Sequence, residues 1–221
     1  MIPIRFSLCG DADKIMAYVR KYAPGVDYVL RRVREQVPHV KREIRLHEAA
    51  ILYLLAGQFN RNGAQIIELG TCHGWSAAVM AEAAPLARIR TCTPNSVHVK
   101  IARENLKTYH NVDVIETFSV ELLGHCHAEI IDMVFVDGDH DHVVDDLPWF
   151  NLLRVGGLML HHDYTPPTSA TRPCRPVWNA LNAFADVTGH EPDVLLIGPD
   201  DEGMAGWYRR AGEVYDGLRY S

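Results

Sequence analysis

The sequence predicts an α/β fold, a doubly wound and mostly parallel sheet, on three observations. From Gln65 onward short apolar runs alternate with helix-compatible stretches. Each run ends in glycine, proline or polar residues, and the last two apolar runs face each other across a short turn. Strands that alternate with helices need crossover connections, and these lay helices on both faces of parallel strands.

The elements follow in order. Residues 1–60 read as a helical lead-in with helix-compatible patterns over Asp11–Tyr22, Tyr28–Gln36 and Lys41–Gln58, the last carrying Ile44, His47, Ala50, Ile51 and Leu54 along one face. The core, residues 65–221, supplies strands in AQIIELG, ARIRTCT, NVDVIET, IDMVFVDG and GGLMLHH. At the end, DVLLIGPDDEGMAGWYRR folds back about a turn at Pro199–Gly203 as an antiparallel hairpin, which brings the sheet to seven strands. Thr165–Pro176, rich in Pro, Thr and Arg, reads as a loop within one domain of 221 residues.

Composition narrows the partners. With 28 acidic and 22 basic residues the formal charge is −6, which disfavours a phosphate backbone, so nucleic acid is not expected. Five scattered cysteines lack any CxxC pair and read as reduced thiols of a cytoplasmic protein. No apolar run is long enough to span a membrane, and no membrane partner is expected. Assembly as a homodimer or higher homo-oligomer stays open.

In open sheets of this kind ligands bind beyond the carboxyl ends of the strands. After the first core strand comes Glu68-Leu69-Gly70-Thr71-Cys72-His73-Gly74-Trp75-Ser76, a glycine turn leading into a helix. Gly70 suits positive φ, Gly74 a close approach, and Glu68 could hold an amino group; Thr71 and Ser76 belong to the same candidate binding turn. The fourth core strand ends in Asp137-Gly138-Asp139-His140-Asp141-His142 and the fifth in His161-His162-Asp163-Tyr164. Neighbouring strands would set Asp137 and Asp163 at one edge, an oxygen-rich pair suited to Mg²⁺ or Mn²⁺, with His162 as a third ligand. Alternation along a strand sends one of His161 and His162 into a packed layer. Asp139, Asp141 and His142 read as a solvated turn, and zinc at Gly124–His127 is disfavoured by spacing.

The segments IIELGTCHGWSA and IDMVFVDGDHDHVVDDLPWFNLLRVGGLMLHHDY resemble the class I S-adenosylmethionine-dependent methyltransferases, which are Rossmann-like, and within them the metal-dependent O-methyltransferases of the macrocin and catechol type. The resemblance covers roughly Gln65–Tyr164. It implies that Glu68, Gly70 and Gly74 line the methionine end of S-adenosyl-L-methionine, that Asp137 and Asp163 bind magnesium, and that His140 is the base. Enzymes of this fold end the second core strand with an acid for the ribose. Here Thr93 stands at that position, with Asn95 as a substitute partner, while Phe118 and Ser119 stand where the adenine packs.

The function this implies is oxygen methylation of a small-molecule hydroxyl, assisted by Mg²⁺, with His140 taking the proton. Arg172 and Arg175 are candidates to clamp an anionic acceptor. The rivals are a nicotinamide-dependent oxidoreductase, which would want the GxGxxG that GTCHGW lacks, and a non-catalytic binding protein on a degenerate cofactor fold.

Overall fold

The structure is a computed structural model and describes residues 3–37, 44–126, 130–169, 174–199 and 203–217. These described residues form eight strands, one more than the sequence predicts. They are β1 (Phe6–Cys9), β2 (Gln65–Leu69), β3 (Arg88–Thr93), β4 (Val112–Glu116), β5 (Ile131–Val136), β6 (Leu153–His161), β7 (Val194–Ile197) and β8 (Gly203–Tyr208). The extra strand is β1, inside the segment expected to be wholly helical. It pairs in parallel with β7, whose edge would otherwise carry open backbone groups.

The order across the sheet is β1-β7-β8-β6-β5-β2-β3-β4, and β8 alone runs against the rest, between β6 and β7. That is the expected closing hairpin. The sheet is doubly wound about β2, which has β3 on one side and β5 on the other. Sequence order reverses there, so the carboxyl ends of β2 and β5 open the crevice where ligands of such sheets sit.

The eight helices among the described residues are α1 (Ala12–Tyr22), α2 (Val26–Gln36), α3 (Leu46–Gly57), α4 (Trp75–Ala83), α5 (Ser96–Asn105), α6 (Ser119–Gly124), α7 (Val143–Asp146) and α8 (Arg175–Thr188). The three lead-in helices begin and end within a few residues of the sequence reading, although residues 41–43 lie outside the described residues. Apolar residues of α1 to α5 share one core with Ile66, Met133, Phe135, Leu158 and Leu160 of the sheet. Residues of α6 to α8 share the other with Ile67, Val134, Val136 and Met159. Successive strand residues thus feed opposite layers. Helix α3 is apolar nearly all round because α1, α2 and α4 surround it, and its one buried acid, Glu48, has a specific job at the site. Among the described residues no helix is long and apolar enough to cross a membrane.

Candidate active site

Glycine decides how closely the two central strands approach. Gly70, just past β2, has φ +106°, and a Cβ there would stand 2.1 Å from the carbonyl oxygen of Asp137. The glycine turn and the DGDH loop can therefore meet at the crevice only without a side chain at that position. Gly74 is left-handed at φ +92° and caps α4, and a Cβ on it would strike Leu106. Its absent side chain makes room for helix packing.

A cavity of about 660 Å³ opens at this point, between the ends of β2, β3, β4 and β5. Of the candidate cofactor residues, Gly70, Thr93, Asn95, Phe118, Ser119 and Asp137 line it. Glu68, Thr71, Gly74 and Ser76 do not. Glu68 is fully buried in register with Phe135 and Thr91, on the face covered by α1 to α5. Thr71 is buried with its hydroxyl 2.6 Å from that of Thr91. The turn's polar side chains serve the packing behind the crevice, and its backbone forms the wall.

Asn95 differs from its expected use. Its Oδ1 accepts from the amides of Val97 and His98 as the N-cap of α5, so its acceptor is spent and only N–H donors remain for a ligand. The acceptor left at the ribose position is the Thr93 hydroxyl. Phe118 is 56% exposed at the cavity mouth, a free ring face rather than core.

Beside the cavity Asp137, His140 and Asp163 each offer one ligand atom, all within 4.8 Å of one another. His140 thus stands beside the two aspartates where the sequence reading set His162. The cause is the turn Asp139–His142, in which Asp139 Oδ1 accepts from the amide of Asp141 and the backbone winds into a 3₁₀ turn. That winding brings His140 Nε2 to 2.8 Å from Asp163 Oδ2.

His162 lies behind this set and organises it. It is buried, with Nδ1 3.2 Å from Asp137 and 3.1 Å from Asp163, and Nε2 3.2 Å from Glu48. Burial pushes its pKa down, but the Asp137 and Glu48 carboxylates outweigh it and hold the ring charged well above the usual histidine range. Glu48 joins two elements. Its Oε2 accepts from the Arg45 amide at the start of α3, and its Oε1 faces the imidazole at the end of β6. No sequence signal marks Glu48, which looks like one more polar residue in a helical pattern. His161, the other member of the pair, points into the packed layer and stays neutral, its pKa pushed down to about 3 by burial.

Burial would raise the pKa of Asp163, but hydrogen bonds from His140 and His162 hold it far below the ordinary carboxylate value. Its backbone is left-handed at φ +55°, and among the described residues Cys72 alone of the other non-glycines shares that region. Both stand just past strand ends, Cys72 lining the cavity and Asp163 in the cluster beside it, where strain of about 1–3 kcal/mol is tolerated for geometry. Tyr164 follows, buried, and stacks on Trp178 of α8 at 4.6 Å. Arg172 lies outside the described residues, as does His127 of the disfavoured zinc cluster. Arg175 opens α8.

Hydrogen bonding to Asp163, with a smaller contribution from Cys174, raises the His140 pKa to about 10. A base for neutral pH was expected there, and without a cation the imidazole is instead protonated. Once His140 releases that proton, three carboxylates (Glu48, Asp137 and Asp163) against the His162 imidazolium leave the cluster two charges short of neutrality. A divalent cation would supply those charges, so the donor chemistry fits one.

Residues 67–164 match the family model described as a methyltransferase domain. Solved structures with the same fold include the SAH-bound methyltransferase PaMTH1 of Podospora anserina, at 18% identity and TM-score 0.66, covering 92% of this chain and 99% of that one. The O-methyltransferase of Bacillus cereus in complex with SAH has 18% identity and TM-score 0.62 over 89% and 97%. The O-methyltransferase TomG of Streptomyces achromogenes, in complex with SAM, has 17% identity and TM-score 0.63 over 90% and 96%. At these identities the likeness is one of fold. No curated protein matches the sequence.

Proposed function

We propose that this chain, which carries a methyltransferase domain on the class I S-adenosylmethionine-dependent fold, methylates a hydroxyl of a small molecule with a divalent cation at Asp137 and Asp163. The observation that carries this reading is one of adjacency. Asp137 lines the 660 Å³ cavity and also belongs to the Asp137, His140 and Asp163 cluster, so a cofactor in the cavity would meet an acceptor at the cluster. Proximity of two bound reactants is a large advantage for a weak oxygen nucleophile.

Asp137 and Asp163 would hold the cation, Mg²⁺ or Mn²⁺, and His162, within 3.2 Å of both carboxylates, aims them. When bound, the cation lowers the pKa of the acceptor hydroxyl and opposes the charge of Asp163 at His140. His140, freed of its proton, accepts that of the hydroxyl. The oxygen then forms its bond to the methyl carbon as the carbon–sulfur bond breaks, leaving the demethylated thioether.

The test is calorimetry with Mn²⁺ and with S-adenosylhomocysteine, on the parent and on Asp137→Asn/Asp163→Asn. The parent should bind both, and the double variant should keep the nucleoside while losing at least tenfold in Mn²⁺ affinity, because two anionic ligands become neutral. Unchanged Mn²⁺ binding refutes the cation site. Absence of S-adenosylhomocysteine binding in the parent would favour a degenerate binding protein, the reading suggested by Thr93 and by the engaged oxygen of Asn95.

A further inference from the structure

The cavity holds one acid that neither the resemblance nor the metal cluster accounts for. Asp146, the last residue of α7, lines it together with Ser119 and Cys92, and only 4% of its surface is exposed. Ser119 hydrogen-bonds the carboxylate, while Oδ1 is buried with no hydrogen-bond partner among the described residues. An acceptor buried without a donor is destabilising, so such a group points to something that completes it. The other acids at the cavity are committed or open to water. Asp137 faces His162, Asp139 Oδ1 accepts from the Asp141 amide, and Asp145 is exposed beside His142.

Position selects the ligand group. Asp146 lines the cavity with Cys92 and Thr93 at the end of β3 and with Ser119 and the exposed Phe118 just past β4, and Ser119 bonds its carboxylate. A carboxylate accepts only, and the base of the cofactor presents one donor pair on its edge, the exocyclic amino group. We propose that Asp146 reads the 6-amino group of the purine while Phe118 covers the ring face, so the anionic contact lacking at the ribose is made at the base. This rests on the cofactor reading above. It adds a specificity: a 6-oxo purine would set a carbonyl oxygen against the Asp146 carboxylate.

Calorimetry with S-adenosylhomocysteine and S-inosylhomocysteine tests this on the parent and on Asp146→Asn. The parent should prefer the amino compound by about tenfold to a hundredfold, the span of one hydrogen bond to a charged group. In Asp146→Asn the side-chain amide can donate to the 6-oxo group, and the preference should fall to within about threefold. Equal binding of the two nucleosides by the parent overturns the proposal and needs no variant that folds. So does an unchanged preference in Asp146→Asn, which would leave Oδ1 to a buried water. If the parent binds neither compound, the cofactor reading fails and this one with it.

Discussion

Asp146 also makes a prediction about stability, because burial raises its pKa to about 6 from the usual 3.8. The folded state then binds more protons than the unfolded one between those values, so the cost of the ionised group is full above pH 6 and relieved as pH falls towards 3.8. Two units correspond to about 3 kcal/mol, an upper figure for a group that a ligand would partner. Asp146→Asn without ligand should therefore be more stable than the parent by about 1–3 kcal/mol at pH 7.5 and about equal at pH 4. Urea midpoints at the two values check this, and the same gain at both would contradict it. At His140 the charge of Asp163 acts on rate. His140→Ala should lose about 10²- to 10⁴-fold in methyl transfer while keeping S-adenosylhomocysteine and Mn²⁺. Loss of Mn²⁺ would make His140 a ligand, and near-normal turnover would make it a turn residue. In the parent the rate should rise with pH as His140 deprotonates, on a limb starting from the value near 10 and moved towards acid by the cation.

The elements carry most of what the sequence made legible. Gly70 adopts the positive φ expected of it, Gly74 allows the close approach expected of it, here by Leu106, and the antiparallel partner of β6 comes from the closing apolar pair. β1 was hidden because Phe6–Cys9 is four residues with a serine inside, too short for a period to register, and only β7 gives it a partner. The site was legible where chain neighbours decide it, at Asp137 and Asp163. It was illegible where a helix end turns a side chain, as at Asp146, or where distant elements meet, as in the contact of Glu48 with His162. Asn95 shows one residue type bearing two readings, ligand partner or helix cap. Capping predicts that Asn95→Ala costs about 1 kcal/mol in a denaturant titration, with S-adenosylhomocysteine affinity changed less than threefold. A tenfold loss of affinity at unchanged stability would return Asn95 to the binding residues.

Across the whole molecule the cavity joins the carboxyl ends of four strands, so a ligand seated there should hold the sheet as a unit. At a hundredfold excess over its dissociation constant S-adenosylhomocysteine stabilises by about 2.7 kcal/mol. For a chain of this size that is a rise of about 5–11 °C in Tm, readable by thermal shift, and NAD should give none. A shift with NAD alone would return the oxidoreductase reading. The far edge of the sheet bears on a different matter, the order in which the chain can be finished. β1 is tied to β7 in register and to Tyr208, whose hydroxyl donates to the Ile4 carbonyl and accepts from Gln58. These partners lie about 190 residues downstream, so during synthesis at roughly 5–20 residues per second the first strand waits on the order of ten seconds or more for its neighbour. Over that interval Phe6–Cys9 has no partner strand and the lead-in helices can pack only on β2 to β6. Seating of β1 is then a late step of folding, slow by contact order, and a prolonged wait would expose the chain to pairing with another copy.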